Sequence, residues 1–119
     1  MIDTQMSRAL ERFLDLNAFR HGLIASNLAN VDTPSFKTRD MNFAFELQKA
    51  ESNLEYASVT PAVREVQGLI QRPDGNNVSL EREGLLMAET QLRFNAGVQL
   101  LRKEFARILL AIREGSTSG

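Results

Sequence analysis

The residues that could do chemistry are few, and they do not assemble into a site. His21 is the only histidine in 119 residues, and cysteine is absent. Zinc and iron centres draw several imidazole, thiolate or carboxylate ligands together. His21 stands beside Arg20 inside a helical pattern with no second histidine to join it, so it is read as a helix-surface or interface residue. Serine chemistry needs a nucleophile presented on a sharp strand-to-helix turn, and no such motif surrounds any serine here. The glycines are scattered and form no phosphate-cradling loop. Glu81 and Glu83 lie two residues apart and face different sides of a helix. They suit the positive end of its dipole better than paired acid–base work. Arg93, Arg102, Lys103, Arg107 and Arg113, with Glu89, Glu104 and Glu114, read as a solvated mixed face holding weak pairs such as Glu89–Arg93. No catalytic, cofactor-binding or metal-ligating residue is assigned, no cofactor is expected, and enzyme function is not expected.

Bulk properties narrow the class further. Fourteen basic residues face fifteen acidic ones, for a net charge of -1, so no basic arm points to nucleic acid. Without cysteine there are no disulfides. Asp3, Arg8, Glu11, Arg12, Asp15 and Arg20 interrupt any apolar signal region near the start. The run Ile108–Ile112 is too short to cross a bilayer. A cytosolic protein and one exported by a route that cleaves no signal are both compatible with this composition.

The elements that must carry any function are helical. Over residues 3–31, Met6, Leu10, Phe13, Leu16, Leu23, Ile24, Asn27, Leu28 and Val31 recur at three- and four-residue steps. Asp3 or Thr4 can cap this helix. It must stop near Asn30, because Thr33 precedes Pro34 and is pushed out of the helical region. Residues 32–40 form a loop. Asp40 can cap a shorter helix over 41–54, with Phe43, Leu47, Ala50 and Leu54 on one side. Residues 55–78 are an irregular linker, punctuated by Pro61, Gly68, Pro73 and Gly75, that admits short strands around 57–60 and 66–71. Asp74–Asn77 carries turn chemistry.

From Ser79, a suitable N-cap, to Arg113 the pattern is one long helix, closed by Gly115 and a polar tail over 114–119. Met87, Phe94, Leu101 and Ile108 fall seven apart; Gln91, Val98, Phe105 and Ile112 follow each by four. A sustained seven-residue repeat asks for a partner helix in a left-handed supercoil. Leu85, Leu92, Leu100, Leu109 and Leu110 widen the apolar face beyond a two-helix seam. The core helix of an ordinary helical domain would share the amphipathic pattern. The rest of the chain, however, supplies only one comparable helix, and the excess apolar width argues for other chains.

The stretch Ala25–Asp40, reading A-S-N-L-A-N-V-D-T-P-S-F-K-T-R-D, resembles the N-terminal signature of bacterial flagellar rod and hook proteins. Lys37–Phe43, Asp74–Glu83 and Gln91–Leu101 resemble the proximal-rod subtype of that family. Together these blocks cover about two-thirds of the chain; residues 55–73 match weakly, and nothing is carried onto them. The family usually has glycine where this chain has Ser35. If that position needs a positive φ, Ser35 is strained; otherwise the turn differs here.

The resemblance implies a mainly α, single rod-type domain over 1–119. Its long N- and C-terminal helices would pack as an antiparallel coiled coil, joined by a loop, a short helix and an irregular or weakly β middle. Leu10, Phe13, Ile24 and Leu28 would meet Met87, Phe94, Val98, Leu101, Phe105, Ile108 and Ile112 at helix-packing interfaces. Asn27, Asn30, Asp32, Thr33, Pro34 and Phe36 form the signature loop, expected to contact neighbouring subunits. The function implied is a structural component of the flagellar basal-body rod that polymerises through its terminal helices. Its implied partners are copies of itself, other rod proteins, and export-gate and membrane-ring proteins at the rod base, with no nucleic acid and no membrane span. Its implied location is the periplasmic rod, reached without a cleaved signal peptide. A soluble coiled-coil adaptor or export chaperone is the competing reading.

Overall fold

Thr4 opens the first helix. Its hydroxyl accepts from the Ser7 N–H at 3.0 Å while the Thr4 N–H donates to Ser7 Oγ at 2.9 Å, a reciprocal cap. A computed structural model describes residues 4–52 and 60–117. The helix, α1, spans Gln5–Ala29 and ends at Asn30. It is shorter at both ends than the 3–31 span, and the alternative cap Asp3 lies outside the described residues.

The second helix, α2, spans Phe43–Ser52. Asp40 does not cap it. Asn42 does, accepting the Phe45 N–H on Oδ1 at 3.0 Å and the Glu46 N–H on its carbonyl at 3.0 Å. Asp40 is engaged elsewhere by two guanidinium groups, which is why the position nearer the helix takes over the cap. Residues 53 and 54, the expected end of this helix, are outside the described ones.

A small sheet joins the loop to the linker. Strand β1, Arg39–Asp40, pairs antiparallel with β2, Arg64–Glu65, with Arg39 opposite Glu65 and Asp40 opposite Arg64. Neither strand matches the 57–60 and 66–71 spans. The first of those falls outside the described residues except for Thr60, which is not in a strand. Over the second, Gly68 takes a φ of 83° and bends the chain away from the sheet.

Ser79 caps the third helix, α3, by accepting the Arg82 N–H on Oγ at 3.2 Å. The helix runs over Leu80–Thr117, past Arg113 and through Gly115. Glycine permits a left-handed stop but does not impose one.

α3 packs antiparallel on α1, giving an elongated body of 73 × 24 × 18 Å. Thr4 Oγ1 meets Glu104 at one end, and Asn27 meets Glu83 at the other. α3 therefore continues for about 20 Å beyond its Thr4 contact, at 1.5 Å per residue. α2 packs on α1, where Phe13 and Phe43 meet edge to face, centroids 5.8 Å apart. Among the described residues, the buried hydrophobic side chains are Leu16, Ile24, Met41 and Val78. Ser7, Asn17, Asn27, Thr38, Asp40, Glu46, Asn76, Glu83 and Thr90 are buried beside them.

Candidate functional site: an asparagine hub and an exposed helix face

Asn27 sits on the last turns of α1 and is fully buried. Its Nδ2 donates to the Arg39 carbonyl at 2.9 Å, and its Oδ1 accepts the Arg39 N–H at 3.1 Å. The side-chain amide thus satisfies both main-chain groups of Arg39 on the edge of β1 away from β2. The same Nδ2 donates to the Glu83 carboxylate on α3. One carboxamide ties together α1, the sheet and the start of α3.

Asn76 does the same for the signature loop. Its Nδ2 donates to the carbonyls of Asn30 at 2.8 Å and Thr33 at 2.9 Å, while its Oδ1 accepts the Val78 N–H at 2.8 Å. Asn77 Oδ1 accepts the Thr38 N–H at 2.7 Å. Arg72 donates to the carbonyls of Val78 and Val31, and Lys37 to those of Gln71's side chain and Gly75's backbone. Asn30 holds the helix end locally, donating to the Ser26 carbonyl and accepting from the Thr33 hydroxyl. Asp32, Thr33 and Pro34 are exposed; Phe36 is half-buried.

Ser35 lies at φ 64°, so the turn does need the left-handed conformation that glycine adopts freely. Its N–H donates to the Asp74 carbonyl at 2.9 Å. Gly75, at φ 87°, lies so close that a Cβ there would be 3.2 Å from the Ser35 Cα.

A charge cluster adjoins this hub. Arg20 clasps Asp40 with Nε at 3.1 Å and Nη2 at 3.0 Å. Arg82 reaches Asp40 at 2.8 Å and Glu83 at 2.7 Å. Burial on its own would raise the Asp40 carboxyl. Hydrogen bonds from Arg20, the Met41 N–H and Arg82 outweigh it and hold the group below its ordinary value. Glu83 stands in the first turn of α3, as the dipole reading has it, and is in addition fully buried against Arg82 and Asn27.

The line of α3 turned most squarely to α1 is Glu83, Thr90, Gly97 and Glu104, seven apart. At Gly97 a Cβ would sit 2.8 Å from Leu14 Cδ2 and 3.0 Å from Phe13 Cδ1, so the helices approach closely there. Ile24 is buried, and Leu10, Phe13, Leu28, Met87, Val98, Leu101 and Ile108 are half-buried along the flanks of this line. Phe94, Phe105 and Ile112 are exposed at 37%, 40% and 45%. Leu85 and Leu92, at 68% and 71%, lie on the far side, and Leu100, Leu109 and Leu110 are also exposed.

Arg20, Asp40, Arg82 and Glu83 do not stand out in the sequence as a cluster, nor Asn76 and Asn77 as more than a turn. Arg93, whose guanidinium stacks 4.9 Å above the Phe43 ring, is likewise missed. The visible signal was the seven-residue spacing of Glu83, Thr90, Gly97 and Glu104, hidden by their polar or small side chains. His21 is exposed in a shallow depression with Asn17, Thr90 and Phe94. Among the described residues no group of histidine and acidic side chains is placed to hold a metal ion, and no helix is long and apolar enough to cross a membrane.

These features define a class: a slender helical subunit with paired terminal helices, a polar clamp at one end and much of its apolar surface turned outward. No protein-family model matches the chain. It is 33% identical over 113 residues to the flagellar basal body rod protein FlgB of Cereibacter sphaeroides, covering 84% of this chain and 88% of that one. Against FlgB of Escherichia coli (strain K12) it is 27% identical over 129 residues, covering 92% and 94%. The FlgB of Proteus mirabilis is 27% identical over 122 residues, covering 86% and 89%. The chain belongs to the FlgB family of flagellar basal body rod proteins.

Proposed function

We propose that this chain is a structural subunit of the flagellar basal-body rod, which polymerises through its terminal helices to form the proximal drive shaft. Family membership supports the rod setting. The observation that carries the polymerisation is the apolar surface left open on α3, where Leu85, Leu92, Leu109 and Leu110 are each more than half exposed. Such an area on a slender chain is an interaction surface. The buried hydrophobic set is small, so the isolated subunit is marginally stable, and assembly supplies the missing burial. The partners that follow are further copies, other rod proteins, and ring and export-gate proteins at the rod base. Its location is then the periplasmic rod, reached without signal cleavage, and its role is mechanical and not enzymatic.

Deleting the coding sequence tests this. The strain is expected to be non-motile, with no filament beyond the basal ring; a strain that still swims refutes the reading. Leu101→Asp, on the half-buried flank of the α1–α3 pair, is expected to leave expression intact and block incorporation into basal bodies. If the purified chain instead forms a discrete helical oligomer with a cooperative, concentration-dependent melt, the adaptor reading gains.

A further inference from the structure

The outer side of α3 and the outer side of α1 are unlike each other and complementary. On α3, Leu85, Leu92, Ala96, Gln99 and Lys103 share one exposed face, at three-, four- and seven-residue steps. On α1, Glu11, Asp15, Ala18, Gly22, Ala25 and Ala29 share another, also exposed. The first face is ridged by two leucines at its start and basic at its far end, where Lys103 adjoins Arg102. The second is acidic at its start and smooth thereafter. Among the described residues, none of Glu11, Asp15, Arg102 and Lys103 makes an ion pair within the chain.

We infer that these two faces belong to one contact: the α3 ridge of one copy lies along the outer side of α1 of the next. The occupant is a second copy of this chain, and the charges fix its orientation. Laid antiparallel, Lys103 comes opposite Glu11 and Asp15, while Leu92 comes opposite Gly22 and Leu85 opposite Ala29. The parallel arrangement sets the leucines against the carboxylates and leaves Lys103 beside the uncharged end of α1.

The antiparallel choice agrees with how copies stack. α1 and α3 are antiparallel within one chain. Two copies set side by side in the same direction therefore bring α3 of one antiparallel to α1 of its neighbour. The contact uses different patches on the two copies, so it repeats without closing a dimer and builds a ring or a helical tube. Smooth small residues opposite Leu85 and Leu92 let the helix axes approach, and the ion pairs set register more than affinity.

This inference rests on the rod reading, and one experiment separates them. The chain has no native cysteine, so a chain carrying both Gly22→Cys and Leu92→Cys reports only the new pair. Those positions lie on outward faces of the two helices and cannot bridge within one copy. Basal bodies isolated from cells expressing this variant and mildly oxidised are expected to give a ladder of disulfide-linked multimers of the chain. Lys103→Glu in that background is expected to weaken the ladder several-fold, and adding Glu11→Lys with Asp15→Lys to restore it. Normal incorporation with no ladder overturns the inference, as does a ladder to a different rod protein or indifference to charge reversal. Absence of the wild-type chain from basal bodies defeats the rod reading itself.

Discussion

The region around Asn27 and Asn76 and the outer side of α3 place opposite kinds of side chain inside and outside. At the hub, carboxamides, two carboxylates and two guanidinium groups are withdrawn from water and paired with one another and with main-chain groups. Along α3, leucines stand in solvent. Directional bonds tolerate little variation in geometry, whereas apolar contact is non-directional and scales with area. A fully buried leucine contributes about 1.5–3 kcal/mol relative to an exposed one. On the proposed reading, much of that free energy is reserved for contacts beyond the chain's own fold: the hub sets shape, and the outer face supplies the driving force for association. If that division is right, substitutions in the two regions have separable effects.

The largest separation is expected at Asp40. Replacing it with alanine leaves Arg20 and Arg82 facing each other without their shared carboxylate. Removing one partner from a largely buried ion pair costs about 3 kcal/mol. A urea melt of the purified chain should show that loss. Asp40 also makes the hub sensitive to acid. Its carboxyl is held low in the folded chain. Its contribution is therefore complete above the unfolded carboxyl range, near pH ~4, and declines as pH falls through the folded value. Relative to its intrinsic exchange rate at each pH, the Met41 amide, which donates to Asp40 at 2.8 Å, should lose protection in that window. Asp40→Asn should remove the pH dependence.

Gly97 tests the seam between the two regions. A leucine side chain in place of Gly97 would press on Leu14 and Phe13, where even a Cβ lies at 2.8–3.0 Å. Overpacking costs roughly 1–3 kcal/mol, against a gain in helix propensity of about 0.8–1 kcal/mol. Gly97→Leu is thus expected to lower stability modestly and to spread α1 from α3 at Phe13. Spin labels on the two helices would register the separation. A stabilised variant with unchanged spacing would show that the close approach is incidental.

Much of the outer face was legible from sequence and much of the hub was not. Periodicity locates α1 and α3, and Pro34 places the end of α1, because these are local effects. The excess leucines on α3 are visible as a pattern too wide for one seam. Asp40 and Asn42 are both good helix caps, and nothing local decides between them. Arg20 and Arg82 decide it, arriving from α1 and α3. Glu83 is legible as a dipole partner in the first turn of α3, but its bond to Asn27, far away in sequence, is not. A search for apolar heptads passes over Glu83, Thr90, Gly97 and Glu104 because the innermost line of the helix pair is polar or small. Asn27, Asn30 and the loop after them were visible through the family signature, whereas Asn76 and Asn77 looked like an ordinary turn.

Ser35 offers a smaller test, in the stabilising direction. A left-handed conformation costs a non-glycine residue roughly 1–2 kcal/mol, and Ser35 holds φ at 64°. Ser35→Gly removes that strain but gives the unfolded chain more freedom, which offsets up to about 1 kcal/mol. A net gain of about 0.5 kcal/mol is expected in the urea midpoint. No gain would mean that the hub around Asp74 and Gly75 tolerates serine without strain.

The smallest effect on the fold, and the sharpest test of the comparison, belongs to Leu92. Its side chain is 71% exposed on the side of α3 away from α1. Little of its apolar surface is withdrawn from water within the chain, so truncation removes little that the fold uses. Leu92→Ala is expected to change the stability of the isolated chain by less than about 0.5 kcal/mol, as surface substitutions usually do. Alanine also keeps or improves helix propensity. The same substitution should reduce recovery of the chain in basal bodies, because on the proposed reading the leucine meets a partner there. Asp40→Ala should show the reverse pattern in melts of the isolated chain. A Leu92→Ala chain that unfolds as readily as Asp40→Ala would place Leu92 in the subunit's own core and erase the distinction between the two regions.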